Sequence, residues 1–484
     1  MGLLGILLGL FLMIALAYRG WSILLLAPVA ALVAAAFAAE PLLAHWTQTF
    51  MTSAAGFFAQ FFPLFLLGAL FGKLMDDSGS VATIADFMTE KLGAERAILA
   101  VVLAGALVTY GGVSLFVAFF VLAPMAVALF RAANVPRRLM PAAIALGTST
   151  FTMSALPGTP SIQNAIPMPF FGTTPFAAPG LGIIASVIML GFGMWWLKRA
   201  EERAKRAGEG FGDDPPKIDA TPADDLLVRE LGTVAREFDP AELSRGQPSP
   251  TRPPIALAML PLGIVIAVNL AMSQFILPSL DVSFLAEERW GETTLAGVGG
   301  VWSVVTALVA AIVAVIAINH RRLPALRDTM DAGANASVLP AVSVASLVGF
   351  GAVVAALPAF VAVRDALLAM EGGPLVSLAV ATNVLAALTG SASGGMTIAL
   401  DALGEIYKTM ALDAGIDPSL MHRVAVISSG TLDSLPHNGA VVTLLAVCGA
   451  SHRESYFDIV MVAIVGALIA LVAVIGIGSV AGAF

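Results

Sequence analysis

Charge is what this sequence has least of. Only 12% of its 484 residues are Asp, Glu, Lys or Arg, about half the share a soluble globule carries to face water. Set beside 58% hydrophobic residues and a mean hydropathy of +0.91, that shortage excludes a soluble multidomain protein. A single cysteine, Cys448, excludes a disulfide framework and any cysteine-rich metal site. Five histidines without a His-x-x-x-His spacing argue against a multi-histidine metal centre, so neither metal nor cofactor is expected. A net charge of −8 gives no basis for nucleic-acid binding.

What remains is apolar sequence in runs of about 20 residues, the length of a membrane-spanning helix rather than of a barrel strand. Clear spans are expected at residues 2–18, 22–39, 56–74, 181–197, 255–277, 295–318, 339–361 and 459–480. The first lacks a basic leader and runs straight into Arg19 and a second apolar stretch, so it reads as a retained span. Residues 198–254 are rich in charge and proline and read as a solvated linker between two membrane halves, 1–197 and 255–484.

Two stretches do not fit a simple span. Residues 97–130 hold no charge but are too long for one crossing, and Thr109-Tyr110-Gly111-Gly112-Val113-Ser114 interrupts them. A re-entrant hairpin with a Gly-rich tip fits, and residues 374–408 repeat it around Thr389-Gly390-Ser391-Ala392-Ser393-Gly394-Gly395. Each hairpin is followed by a broken helix, at 141–170 and 422–449. The breaks are Leu156-Pro157-Gly158-Thr159-Pro160-Ser161-Ile162-Gln163-Asn164 and Leu435-Pro436-His437-Asn438-Gly439. Proline and glycine at membrane depth leave backbone groups unpaired, which is tolerable only beside a polar cavity.

The halves also match in sequence. Leu139-Met140 and Leu420-Met421 lie 281 residues apart, as do Thr150 and Thr431. Five net crossings per half would invert the second against the first. With the termini outside and the linker inside, 21 of the 25 basic residues fall inside; Arg289, Arg364, Lys408 and Arg423 are the four outside. The expected fold is therefore an all-α polytopic membrane protein of two inverted repeats, each with a re-entrant hairpin and a broken helix.

Paired hairpins and broken helices point to a secondary transporter with its site near the midplane. Half-helix N-termini offer partial positive charge to an anion, and hydroxyls and amides can bind its oxygens. The candidate substrate shell is Thr109, Tyr110, Gly111, Gly112 and Ser114, with Ser154, Gly158, Thr159, Ser161, Gln163 and Asn164. Its second-half partners are Thr389, Ser391, Ser393, Gly394, Thr431, Ser434, His437 and Asn438. Asp433 and His437, ionisable and at i, i+4, are the candidate proton-coupling pair. Small polar residues also serve plain helix packing; the recurrence of four clusters at matched positions favours function. Asp76-Asp77, an adjacent pair with no second acidic motif, reads as helix capping at the membrane surface rather than as a metal site.

Phe71-Gly72-Lys73-Leu74-Met75-Asp76-Asp77-Ser78-Gly79, the first break through Pro167, and Leu435-Pro436-His437-Asn438-Gly439 together resemble the GntP family, the gluconate:proton symporters and related permeases. The resemblance spans nearly the whole chain outside the linker. It implies a bacterial inner-membrane symporter of the ion-transporter superfamily, whose members are commonly dimers with a fixed scaffold and a moving, elevator-type transport domain. By similarity, the loops 154–164 and 433–438 would hold the substrate. The second loop departs from the sugar-acid members and resembles the D-β-hydroxybutyrate permease branch. The reading is proton-coupled uptake of a short hydroxy-monocarboxylate, 3-hydroxybutyrate before gluconate. Sodium coupling and a cation/proton exchanger without organic substrate are the alternatives. An intramembrane enzyme is the weakest, because no nucleophile or metal set accompanies Asp433 and His437.

Overall fold

Where lipid offers no hydrogen bonds, an apolar run must pair its own N–H and C=O groups, and a helix does so within one segment. A computed structural model describes residues 2–17, 21–212, 249–436 and 438–484. Among them there is no β-strand. Seven helices are long and apolar enough to cross a membrane, or eight if Ser80–Leu92 and Ala94–Tyr110, bent by 103° at Gly93, form one span.

The first half runs through α1 (Gly2–Ala17), α2 (Ile23–Phe37), α3 (Leu42–Asp77) and the amphipathic α4 (Ser80–Leu92). A helical hairpin follows, α5 (Ala97–Tyr110) and α6 (Leu115–Ala132). Then comes a helix in pieces: α7 (Met140–Thr148), α8 (Phe151–Ser154), α9 (Ile162–Ala165) and α10 (Pro167–Phe171). The half closes with α11 (Pro179–Arg206). Its last turns are the basic residues read as the start of the linker.

The second half has α12 (Ile255–Ser279), α13 (Leu295–Asn319), amphipathic α14 (Leu326–Ala336), α15 (Val338–Ala356) and the short α16 (Phe360–Leu368). Its hairpin is α17 (Gly373–Thr389) and α18 (Ala392–Asp413). Its broken helix is α19 (Pro418–Thr431) and α20 (Gly439–Val447), and α21 (His452–Ala481) ends it.

These elements pack into two groups. α2 and α3 lie against α15, α3 also against α13 and α14, and α12 against α13, making a frame. The hairpins, broken helices, α11 and α21 pack on one another as a bundle. Close approach within each group uses glycine. A Cβ on Gly147 of α7 would sit 2.4 Å from the Val102 carbonyl of α5, and one on Gly333 of α14 would lie 3.0 Å from Leu70 Cα of α3.

Two expectations about charge change here. Asp77 does not cap a surface helix. It is fully buried, 2.9 Å from the buried Lys73 Nζ one turn back in α3, and accepts a 2.7 Å hydrogen bond from Thr329 of α14. Burial leaves each charge dependent on the other. Arg423, counted among the four basic residues outside, is wholly buried inside α19.

Both described ends of the 198–254 stretch are tied down. Before residue 213, Arg138 donates to both carboxylate oxygens of Glu209, at 2.8 and 3.2 Å, and to Asp458 at 2.7 Å. The Glu209 hydrogen bond raises the pKa of Arg138 above its ordinary value, against a smaller opposing effect of burial. After residue 248, the Ser249 N–H donates to the Asp77 carbonyl, and Arg252 pairs with Asp86.

Candidate functional site

The first hairpin turns at Gly111 and Gly112. Gly112 has φ +101°, a conformation L residues avoid, and a Cβ there would stand 3.0 Å from Pro160 in the first break. Ser114 then caps α6 by accepting from the Phe116 N–H. In the broken helix, Thr150 departs from helical angles (φ −117°, ψ −110°), freeing backbone carbonyls. Neighbouring hydroxyls take up the slack. Thr150 donates to the Leu146 carbonyl at 2.7 Å, Thr152 to Gly147 at 3.0 Å, and Ser154 to Thr150 at 3.0 Å.

The loop that follows is held from several sides. Tyr110 donates to the Pro157 carbonyl at 2.8 Å and Asn269 of α12 to that of Gly158 at 3.0 Å. Asn164 donates to the carbonyls of Thr159 and Pro175, both at 3.0 Å. Its Nδ2 spent, Asn164 can offer only Oδ1 to His422 Nε2, 3.2 Å away, so that nitrogen carries the proton. His422 Nδ1 lies 2.6 Å from the Thr173 hydroxyl, so both ring nitrogens are hydrogen-bonded. Arg423 donates to the Ala177 carbonyl at 2.6 and 3.1 Å and to that of Ala155 at 3.1 Å.

The second half is built alike. Gly390 (φ +64°) turns the hairpin, and Ser391 caps α18 by accepting from the Gly394 N–H. Thr389 donates to the Leu385 carbonyl and Thr431 to that of Ile427, both at 2.8 Å. At the second break, Asn438 caps α20, accepting from the Ala440 and Val441 N–H groups. Its Nδ2 donates to Asp433 Oδ1 at 2.7 Å and to the Gly390 carbonyl at 2.8 Å, joining break to hairpin tip. His437 lies outside the described residues.

A cavity of about 190 Å³ opens where frame and bundle meet. From the bundle come Thr109, Gly112, Ser114, Thr148, Ser161, Gln163 and Ser393; from the frame come Leu64, Phe65, Gly68 and Ala69 of α3, with Ala336, Ser337, Pro340 and Val344. Among the described residues, no charged side chain lines it. Three helix beginnings do: the first turn of α6, the start of the helical stretch 162–171, and the first turn of α18. Their helix dipoles give the cavity positive potential, and Ser114, Ser161 and Ser391 cap the three starts by accepting from first-turn N–H groups. Its chemistry suits a small anion bearing hydroxyls.

Of the sequence candidates, Thr109, Gly112, Ser114, Ser161, Gln163 and Ser393 line this cavity. Tyr110, Gly111, Ser154, Gly158, Thr159, Asn164, Thr389, Ser391, Gly394 and Thr431 are not among its lining residues. Asp433, Ser434 and Asn438 line a second hollow of about 20 Å³ with Ser149, and Leu115 and Met153 border both. Sequence reasoning passed over the frame wall, Thr148 and Ser149, and the buried His422 and Arg423. For the last two a signal exists: two adjacent basic residues inside an otherwise apolar helix.

Residues 1–173 match the GntP family permease profile. The chain is 41% identical over 491 residues to an uncharacterized transporter, YxjC, of Bacillus subtilis, with all of both chains covered. Among solved structures it is similar to the YdaH transporter of Alcanivorax borkumensis, at 17% identity and a TM-score of 0.48, covering 89% of this chain and 88% of that one.

Proposed function

The chain belongs to the GntP family of permeases, and we propose that it is a proton-coupled symporter of a short hydroxy-monocarboxylate, D-3-hydroxybutyrate first and gluconate-like acids second. Membership makes it a multi-pass membrane transporter of a small solute, not an enzyme. The uncharged cavity with its three helix beginnings carries the substrate reading. A monoanion is held there by N–H dipoles and hydroxyls. A dicarboxylate would call for a cation, and none occurs among the described lining residues. Size favours the smaller acid, since an engineered cavity of about 150 Å³ holds benzene. Hydroxybutyrate has roughly benzene's bulk and gluconate about twice that many heavy atoms, against about 190 Å³ here.

The proton is assigned to Asp433, in the hollow behind Leu115 and Met153. Protonation offsets the substrate's charge, so the loaded carrier crosses as a near-neutral body. The oxygen-rich surroundings of Asp433, with Ser149 and Asn438 beside it, also suit a sodium ion, the second reading. The two halves act as inverted repeats, the bundle sliding against the frame as an elevator. We place the protein in the bacterial inner membrane as a homodimer, termini periplasmic and linker cytoplasmic, in line with the bias of its basic residues.

Counterflow in proteoliposomes tests the assignment. Vesicles preloaded with unlabelled D-3-hydroxybutyrate, without an ion gradient, should accumulate labelled hydroxybutyrate from outside, and external gluconate should compete poorly. Silence with hydroxybutyrate, gluconate and lactate alike would leave the cation exchanger standing. Gln163→Leu should raise the KM of uptake about tenfold with little change in expression, the worth of one hydrogen bond to a bound anion. An unchanged KM would take Gln163 out of the substrate shell.

A further inference from the structure

The frame side of the cavity contains one position whose residue is unexplained by folding. Gly68 lies within α3 with ordinary helical angles, in a helix interior where alanine is favoured by about 1 kcal/mol. In membranes a glycine usually lets a neighbouring helix approach. Gly333 and Gly349 are of that kind: added Cβ atoms would lie 3.0 Å from Leu70 Cα and 2.8 Å from the Phe50 ring. Gly68 is not. A Cβ built there meets nothing within 4 Å, although the residue lines the cavity. The other glycine of the lining, Gly112, is accounted for by its positive φ. Beside Gly68 the wall has little room to give, because α14 packs backbone-close on Ala69 and Leu70 of α3.

We propose that Gly68 is the size-determining position of the substrate site: its missing side chain is the room into which the far end of the substrate extends. This rests on the cavity being that site. Added carbons at Gly68 then subtract directly from substrate length, and neither the helix nor its packing has cause to object.

The test is a counterflow series on Gly68→Ala and Gly68→Leu, with lactate, 3-hydroxybutyrate and gluconate as competitors. A misplaced methylene in a fitted pocket costs roughly tenfold to two-hundredfold. Gly68→Ala should therefore lose the longer acids first and keep lactate, and Gly68→Leu should lose all three. Gly191→Leu, on α11, exposed and open in the same geometric sense but outside the cavity, should behave as wild type. A third variant needs no transport: Gly68→Cys should react with a small thiol reagent and be protected by hydroxybutyrate, over little background because Cys448 is buried. Wild-type competition in both Gly68→Ala and Gly68→Leu, or labelling that no acid slows, overturns the inference while wild-type counterflow leaves the symporter standing. Failure of wild-type counterflow with every acid instead removes the substrate assignment itself.

Discussion

Arg423→Leu is expected to abolish uptake and to lower the thermal stability of the purified protein. The guanidinium is fully buried, and it donates to the Ala155 and Ala177 carbonyls, which flank the first broken segment. No ion-pair partner for it occurs among the described residues. α11 passes so close that a Cβ on Gly182 would lie 2.5 Å from the Ala155 carbonyl and 3.3 Å from Arg423 Nε. Leucine would leave two buried carbonyls without donors. At about 1–3 kcal/mol each, the loss is roughly 2–6 kcal/mol, a large part of a protein's net stability. Arg423 is thus a positioning residue: it holds the loop that presents Ser161 and Gln163. Arg423→Lys should rescue only partly, since a single ammonium lacks the planar fork that reaches both carbonyls. Melting and counterflow measured on one preparation decide the matter. Wild-type values for both in Arg423→Leu would mean that the carbonyls find other donors.

Asp433→Asn should separate coupling from transport. The substitution conserves shape and keeps an oxygen to accept from Asn438 Nδ2, now at 2.7 Å, so break and hairpin tip stay joined. What it removes is the group that takes up a proton. Wild-type vesicles should accumulate hydroxybutyrate when the outside is made acid, because lower external pH loads the carrier on that side. Asp433→Asn should bring inside and outside to equality under the same gradient yet still support counterflow. Accumulation at the wild-type level would place the proton elsewhere. If only a sodium gradient drove the wild type, and Asp433→Asn lost that drive, the carboxylate would be an ion ligand.

Much of this architecture can be read along the chain. Gly-Gly and Gly-Ser tips, capping serines and Leu-Pro breaks appear where the hairpins and broken helices turn, because each is a local answer to unpaired backbone. The division of labour inside those motifs is less legible. Gln163 and Asn164 are adjacent and both costly in lipid, so the sequence makes both candidate substrate ligands. One turns to the cavity and the other ties Thr159, Pro175 and His422 together. Neighbours on a helix point about 100° apart, and only distant elements decide which direction is cavity. Arg423 reads from sequence as a charge on the outer side for a similar reason, its carbonyl partners lying some 250 residues away.

By itself, then, the sequence determined that this chain lives in lipid as helices, where those helices break, and which short stretches are polar enough to matter, since hydropathy, backbone pairing and turn chemistry act over a few residues. Tertiary structure alone decided that the frame supplies one side of the cavity wall, that Asp433 has a hollow apart from it, and that Gly68 faces open space. Those are contacts between segments hundreds of residues apart, and an apolar wall looks in sequence like any lipid-facing helix.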